Sequence, residues 1–229
     1  MVGENLERVR ARMAAASRSD GRDPAGVRLI CVTKGVPVGR ILQAASGGIR
    51  EIGENRVQEA QAKQSEIGID LRWHLIGRLQ RNKAKLVAEL FDVIHSVDSL
   101  ELIEALERQA ALQQVSRGRK LELLLQVNVS GEVTKGGCRP DQAEGLADAL
   151  MRSEHLKWSG LMTMAPFADN PEGARPFFRQ LRQLRDQLQD RMRVSPLDLS
   201  MGMSQDFEVA IQEGATMVRI GTAIFGESK

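Results

Sequence analysis

The stretch Val27-Arg28-Leu29-Ile30-Cys31-Val32-Thr33-Lys34 has the composition of a buried β-strand, and it ends in a lysine. An amphipathic, helix-like run follows it. The same alternation of a short apolar run with an amphipathic run repeats to the end of the chain. Regular alternation of this kind predicts a parallel sheet, because parallel strands are usually joined by a helical crossover.

The number of alternating units selects the fold. Strands are predicted at residues 28–33, 49–52, 72–76, 93–95, 121–129, 158–162, 197–200 and 216–220. Helices are predicted between them at 38–45, 56–67, 80–90, 100–114, 140–151, 176–191 and 205–212, with an additional helix at 6–17. Eight units close a TIM barrel, and a length of 229 residues suits that fold. We therefore predict an α/β fold, a single (β/α)8 TIM barrel with an extra N-terminal helix. The alternative is an open doubly wound sheet.

Composition narrows the function classes. The net charge is only +2, with 42% hydrophobic and 27% charged residues. These values suit an ordinary folded core and argue against a nucleic-acid or membrane-binding face. The N-terminus is charged and lacks an apolar signal core, and no apolar run has the length of a bilayer span. We expect one domain, residues 1–229, in the cytoplasm.

Cysteine and tyrosine usage limits the chemistry. Cys31 and Cys138 are the two cysteines, and neither has a CxxC neighbour. This argues against a metal site and against a disulfide scaffold. The chain contains no tyrosine, so mechanisms that need a phenolic acid or base are excluded.

Polar residues collect at the predicted carboxyl ends of the strands, where TIM barrels carry their active sites. They are Lys34 after strand one, Asn55 after strand two, His74 in strand three, His95 in strand four, Ser200 and Ser204 after strand seven, and Arg219, Gly221 and Thr222 at strand eight. Individually, Lys34 has a structural interpretation as a rim lysine, His74 as a hydrogen-bonded core histidine, and Asn55 and Ser204 as helix N-caps. Their joint occurrence at one rim favours a binding site.

Two of these features indicate the ligand. A lysine at the end of a buried strand must be paired, neutralised or used covalently. The Gly221-Thr222 turn exposes backbone N–H groups to an anion, near strands seven and eight where barrels commonly bind phosphate. Together they suggest a phosphate-bearing aldehyde held as a Schiff base, and pyridoxal 5′-phosphate (PLP) fits.

Two roles are open to Arg219, which shares strand parity with Met217 and Gly221 and is expected to point inward. It either binds the phosphate or faces the pyridine nitrogen. In the second role, its permanent charge and lack of an acceptor favour an unprotonated ring nitrogen. Such a ring withdraws electrons weakly, which restrains carbanion chemistry.

Longer motifs resemble a known family, that of the PLP homeostasis proteins. They are Val32-Thr33-Lys34, IGENRVQE at 52–59, WHLIGRLQRNK at 73–83, IHSVD at 94–98, LSMGMS at 199–204 and VRIGTAIFG at 218–226. The resemblance covers nearly the whole chain. The family is similar to the N-terminal barrel of alanine racemase, the fold type III architecture. It implies a PLP-binding barrel without the racemases' second β domain.

The resemblance implies a role for each candidate residue. Lys34 would carry the Schiff base, Arg219 would face the ring nitrogen, Ser200, Gly221 and Thr222 with Ser204 would hold the phosphate, and Asn55 and His74 would line the pocket. Lys135 falls in the family's lysine-containing loop. Cys138 replaces a usually larger apolar residue, which affects the packing of that loop rather than the cofactor site.

The resemblance also implies a function, intracellular PLP (vitamin B6) homeostasis without established catalytic turnover. The expected partners are PLP, other B6 vitamers and recipient apo-PLP-enzymes, and the expected state is a monomer or weak homodimer. The alternatives are a PLP-dependent amino-acid racemase-like enzyme and a Schiff-base aldolase. Related racemases use a lysine and a tyrosine as opposed bases, so the absence of tyrosine disfavours the first alternative. A PLP chromophore would exclude a simple lysine aldolase.

Overall fold

Eight parallel strands close into a barrel, each hydrogen-bonded to its neighbours in chain order. The computed structural model describes residues 1–117, 119–132 and 134–227, with the side chains of 114–117 left out. The strands are β1 Arg28–Val32, β2 Glu51–Glu54, β3 Arg72–Leu75, β4 Val93–Val97, β5 Leu121–Gln126, β6 Leu156–Met162, β7 Asp198–Ser200 and β8 Met217–Ile220. The α-helices are α1 Val2–Ser19, α2 Val38–Ser46, α3 Val57–Glu66, α4 Ala84–Leu90, α5 Leu100–Arg117, α6 Ala143–Met151, α7 Arg175–Met192, α8 Phe207–Gln212 and α9 Thr222–Phe225.

The predicted TIM barrel with an extra N-terminal helix is confirmed, and the differences lie at element boundaries. Strand β2 is Glu51–Glu54, two residues later than predicted, and it extends beyond the predicted end because Glu54 is buried and paired with Lys63 rather than solvated. Strand β5 ends at Gln126, and Val127 then makes an isolated bridge to Cys138. The short helix α9 was not predicted, since Gly221 and Thr222 have the composition of a turn.

Helix α1 closes the helical layer where the chain's two ends meet. It buries Val2, Leu6, Val9 and Met13 at helical spacing and packs against α8, α9 and α2. Each such side chain contributes about 1.5 to 3 kcal/mol when fully buried. On the outside, the Arg12 guanidinium donates both Nε and Nη2 to the Glu208 carboxylate of α8, at 2.8 and 2.7 Å. The N-terminal helix is therefore an integral part of the barrel's shell.

The interior of the barrel contains an apolar cluster and is charged at its N-terminal mouth. Its apolar cluster consists of Ile30, Val93, Leu124, Met162 and Met217. At the first residues of the strands, Arg28 Nη2 lies 2.5 Å from Asp198 Oδ2, and Arg72 Nη2 lies 2.9 Å from Glu122 Oε1. Ion pairs therefore line the lower mouth, opposite the end where the candidate residues collect. Among the described residues, no helix combines the length and apolar character needed to cross a bilayer.

Gly160 of β6 lies against the backbone of Asp198 in β7, with no room for a side chain. A Cβ atom at this position would lie 2.1 Å from the Asp198 carbonyl oxygen, which is far inside contact distance. Gly145, on the exposed side of α6, has no atom within 4 Å of the same hypothetical Cβ. The two glycines form a matched pair for testing the register of the barrel.

We predict that Gly160→Ala lowers the free energy of unfolding by about 2 kcal/mol or more, since backbone must shift to admit the methyl group. Gly145→Ala should raise it by about 0.5 to 1 kcal/mol, because alanine favours a helix over glycine. Urea denaturation of both variants measures the difference. Equal stability of the two would contradict the close approach of β6 and β7.

Candidate functional site

A cavity of about 560 Å³ opens at the carboxyl ends of the strands. Among its lining residues are five of the predicted site residues, namely Asn55, Ser204, Arg219, Gly221 and Thr222. The lining also includes the apolar residues Met164, Pro166 and Phe167, of which Phe167 is 76% exposed. The cavity thus combines polar groups from the carboxyl ends of β2, β7 and β8 with apolar groups from the loop after β6.

Lys34 lies in the turn directly after β1, at the rim and outside the residues that line the cavity. Val32, two residues earlier, does line it. The Lys34 side chain is exposed, and no hydrogen bond or ion pair joins it to any described residue. Its amine is therefore free to react with a ligand that enters the cavity.

Arg219 supplies a buried positive charge to the cavity wall. Its side chain is 4% exposed, and the guanidinium donates from Nη1 to Ser200 Oγ at 2.7 Å and from Nη2 to the Thr163 carbonyl at 2.9 Å. Burial lowers the pKa of Arg219 to about 10, with Asp206 acting in the opposite direction. The group remains charged at neutral pH. A guanidinium has five N–H donors, so donors remain for a ligand.

Gly221 forms a narrow place in the cavity wall where β8 passes into α9. A Cβ at Gly221 would lie 3.2 Å from both Cβ and the carbonyl oxygen of Val32. Ser204 Oγ accepts a hydrogen bond from the Ala223 N–H at 3.2 Å, which joins the loop after β7 to the start of α9. Glycine here keeps the backbone accessible to an anion.

The helix-capping alternatives for Ser204 and Asn55 are wrong. Helix α8 begins at Phe207 with Asp206 at its N-cap, two residues after Ser204. Helix α3 has Arg56 rather than Asn55 at its N-cap. Asn55 instead stands where the backbone after β3 passes closest, since a Cβ at Gly77 would lie 2.2 Å from the Asn55 carbonyl oxygen. Both polar side chains therefore remain available to the cavity.

His74 and Ser200 lie deeper in the barrel and do not belong to the cavity lining. Both are fully buried, and His95 connects them. His95 Nδ1 is 2.8 Å from Ser200 Oγ, and His95 Nε2 is 2.8 Å from His74 Nδ1. His74 Nε2 lies 3.0 Å from Glu51 Oε2 at the bottom of the barrel. We call this the axial chain: Arg219, Ser200, His95, His74 and Glu51.

Donor and acceptor roles along the axial chain are determined by its two charged ends, Arg219 and Glu51. At the lower end, the Glu51 carboxylate only accepts, so the proton of His74 lies on Nε2, 3.0 Å from Glu51 Oε2. The Nδ1 atom of a neutral His74 then accepts from His95 Nε2–H. His95 Nδ1 in turn accepts the hydroxyl hydrogen of Ser200, whose oxygen accepts from Arg219 at the upper end. Both imidazoles are therefore neutral Nε2–H tautomers.

Burial supports the neutral state of both imidazoles. It lowers the pKa of His95 well below 6.5, and the positive groups at Arg219 and Arg28 add to that effect. It also lowers the pKa of His74, although Glu51 acts in the opposite direction. From the sequence, His95 was placed at the rim, but its connection to Glu51 was not predicted. The alternation of side chains along β2, β3 and β4 could have indicated it, because it directs Glu51, His74 and His95 to the inside of the barrel.

Lys135 enters the same cavity from the loop after β5. Its side chain is mostly buried, and Nζ lies 3.3 Å from Glu132 Oε2. Gly137, with φ +119°, brings this loop against the backbone of Asn128. The loop therefore places a second amine beside the cavity, while Val133 lies outside the described residues.

We predict that nitrogen-15 NMR shows His74 and His95 as neutral Nε2–H tautomers at neutral pH, and that both stay neutral as the pH falls to the usual histidine pKa of about 6.5. Their folded pKa values lie below the unfolded ones, so they take up protons only in more acidic solution. Ser200→Ala should free the His95 tautomer. Imidazolium signals from either residue at neutral pH would contradict the axial chain.

Comparison with known proteins adds a family to this geometry. A family model described as "Alanine racemase, N-terminal domain" matches residues 5–229. The "Pyridoxal phosphate homeostasis protein" of Aquifex aeolicus is 43% identical over 227 residues, covering 99% of this chain and 98% of the relative. The protein of the same name from Pseudomonas aeruginosa is 43% identical over 228 residues, covering 98% of this chain and 95% of the relative.

Solved structures agree with the sequence matches. PipY of Synechococcus elongatus with PLP bound superposes with a TM-score of 0.85 at 38% identity, covering 99% of this chain and 100% of PipY. The same protein without PLP gives a TM-score of 0.87 at 39% identity, with the same coverage. An alanine racemase from Clostridium difficile gives 0.73 at 16% identity and covers 99% of this chain but 56% of the racemase. That last likeness concerns the barrel fold alone.

Proposed function

This chain belongs to the pyridoxal phosphate homeostasis protein family, and we propose that it binds PLP in the cavity at the carboxyl end of its barrel. The observation that carries the proposal is the buried guanidinium of Arg219, held by Ser200 and Thr163 and facing the cavity. PLP is a phosphate-bearing aldehyde with a ring nitrogen, and it supplies Schiff-base formation and electron withdrawal when bound. Each of these groups has a counterpart in the site.

Each site residue is assigned to one chemical group of PLP. Lys34, with an unpaired amine at the rim, would hold PLP as a Schiff base. Arg219 would donate to the ring nitrogen. The Gly221-Thr222 turn with Ser204 would bind the phosphate, because Gly221 leaves the backbone open where a Cβ would crowd Val32. Asn55 lines the cavity and would lie near the cofactor.

Ser200 and His74 would act from below the cavity. The hydroxyl hydrogen of Ser200 is committed to His95, so it is not free to donate to a phosphate. We therefore assign Ser200 the task of orienting Arg219, and His74 the task of supporting Ser200 through His95. Ser200 was expected to bind the phosphate and His74 to line the pocket. In this proposal both residues instead support Arg219, the partner of the ring nitrogen.

We propose a carrier or homeostatic role without catalytic turnover. Arg219 remains charged and has no hydrogen-bond acceptor for a protonated ring nitrogen, so the ring nitrogen would stay unprotonated and the ring would be a weak electron sink. The relatives named pyridoxal phosphate homeostasis proteins support this role. Other B6 vitamers, recipient apoenzymes, a monomer or weak homodimer, one domain over 1–229 and a cytoplasmic location stay predictions.

The Lys34 assignment predicts a covalent adduct at one position. Borohydride reduction of PLP-loaded protein should place a pyridoxyl group on the peptide that contains Lys34, as seen by mass spectrometry. Lys34→Ala should lose the visible absorbance and remain folded, because an exposed rim lysine contributes little to the core. Lys135→Ala is the matched control, since it removes the other lysine at the cavity. An adduct that maps to Lys135 in the wild-type protein would overturn the assignment.

The alternative function is a racemase-like enzyme, and Lys135 is the observation that favours it, because it brings a second amine to the cavity. We predict that PLP-loaded protein does not exchange the Cα hydrogen of L- or D-alanine with deuterated solvent faster than free PLP does. The weak electron sink at Arg219 and the absence of tyrosine are the reasons. Fast exchange that Lys34→Ala abolishes would restore the enzyme hypothesis.

A further inference from the structure

The turn that carries Lys34 is held on both sides by side chains from outside the cavity. On one side, Lys63 Nζ donates to the Thr33 carbonyl oxygen at 2.6 Å. On the other, the Gly35 N–H donates to Glu59 Oε1 at 2.6 Å. Lys63 and Glu59 both belong to α3. The peptide groups before and after Lys34 are therefore anchored to one helix.

A buried ionic cluster stands behind these two contacts. Lys63 is 8% exposed and Glu54, at the end of β2, is 0% exposed. Lys63 Nζ lies 2.6 Å from Glu54 Oε1 and 2.7 Å from Glu59 Oε1, in addition to its contact with Thr33. An ammonium has three N–H donors, and all three are used. Thr33 Oγ1 also donates to Glu54 Oε1 at 2.6 Å, so the cluster closes on the turn.

A contribution to the free energy of folding does not explain why such a cluster is present. Desolvation of buried charges commonly cancels most of their mutual attraction, so a buried ion pair is often no better than apolar residues of the same volume. The effect of this cluster is therefore expected where its hydrogen bonds end, at the peptides of Thr33 and Gly35.

Lys34 itself contrasts with its neighbours. Its side chain is exposed and joined to no described residue, while Gly35 takes φ +66° and turns the chain away from the barrel. A rigid backbone with a free amine is the arrangement that presents a reactive group without loss of orientation. A loosely held turn would spread the amine over many positions.

We propose that Lys63, Glu54 and Glu59 are positioning residues, which hold the Lys34 peptide so that its amine faces the cavity. This inference rests on the proposed function, in which Lys34 forms the Schiff base with PLP. The hydrogen bond between Glu59 and the Gly35 N–H is the contact that a substitution can remove without disturbing the rest of the cluster. The Glu59 side chain is 25% exposed, and its loss leaves the buried Lys63–Glu54 pair intact.

The test is the rate at which purified apoprotein develops the visible absorbance of the Schiff base after addition of PLP. Glu59→Ala should slow this rate roughly tenfold, as expected for the loss of a charge-assisted hydrogen bond. Glu59→Gln keeps an acceptor for the Gly35 N–H and should recover most of the rate. Glu66→Ala, an exposed glutamate at the end of the same helix, should behave as wild type.

A second measurement follows the turn without PLP. Amide hydrogen exchange at Gly35 should be faster in Glu59→Ala than in Glu59→Gln or Glu66→Ala, because only the first lacks an acceptor. Wild-type rates in Glu59→Ala, or equal slowing in Glu66→Ala, would overturn the positioning role. If wild-type protein itself forms no adduct at Lys34, the proposed function fails instead, and the exchange result alone decides whether Glu59 holds the turn.

Discussion

The hydrogen bond from the Arg219 guanidinium to Ser200 Oγ is the contact on which the interior of the barrel depends. Arginine has no acceptor and the Glu51 carboxylate has no donor, so these two ends together determine where the protons of Ser200, His95 and His74 lie. Buried polar groups without partners are costly, and a closed barrel admits few alternatives. The arrangement at the cavity wall and the ion pairs at the opposite mouth are therefore parts of one system.

Two buried polar systems support two different parts of the cavity. The axial chain runs inside the barrel and supports Arg219, while the cluster of Glu54, Lys63 and Glu59 lies between the strands and α3 and supports the turn at Lys34. Of the residues in these two systems, Arg219 lines the cavity and the others do not. Both hold groups in place from outside the cavity, which is the usual requirement for a preorganised binding site.

Sequence reasoning failed where a residue's role depended on partners distant in the chain. Serine is a common N-cap residue, yet Ser204 Oγ accepts its hydrogen bond from the distant Ala223 N–H. Glu54 was predicted to follow the second strand, yet it belongs to β2, because Lys63 pairs with it in the interior. His74 was expected near a ligand and lies beneath the cavity instead. Propensity and periodicity describe a residue's own segment and carry no information about such pairings.

The sequence by itself determined the alternation of strands and helices, the barrel that follows from eight such units, and the rim at which polar residues gather. These conclusions need only hydrophobic periodicity and the rule that barrel sites lie at the carboxyl ends of strands. Only the tertiary structure decided which of those residues line the cavity and which support it from below. The reason is geometric, since barrel closure brings Glu51, His74, His95, Ser200 and Arg219 from five strands into one chain of polar contacts.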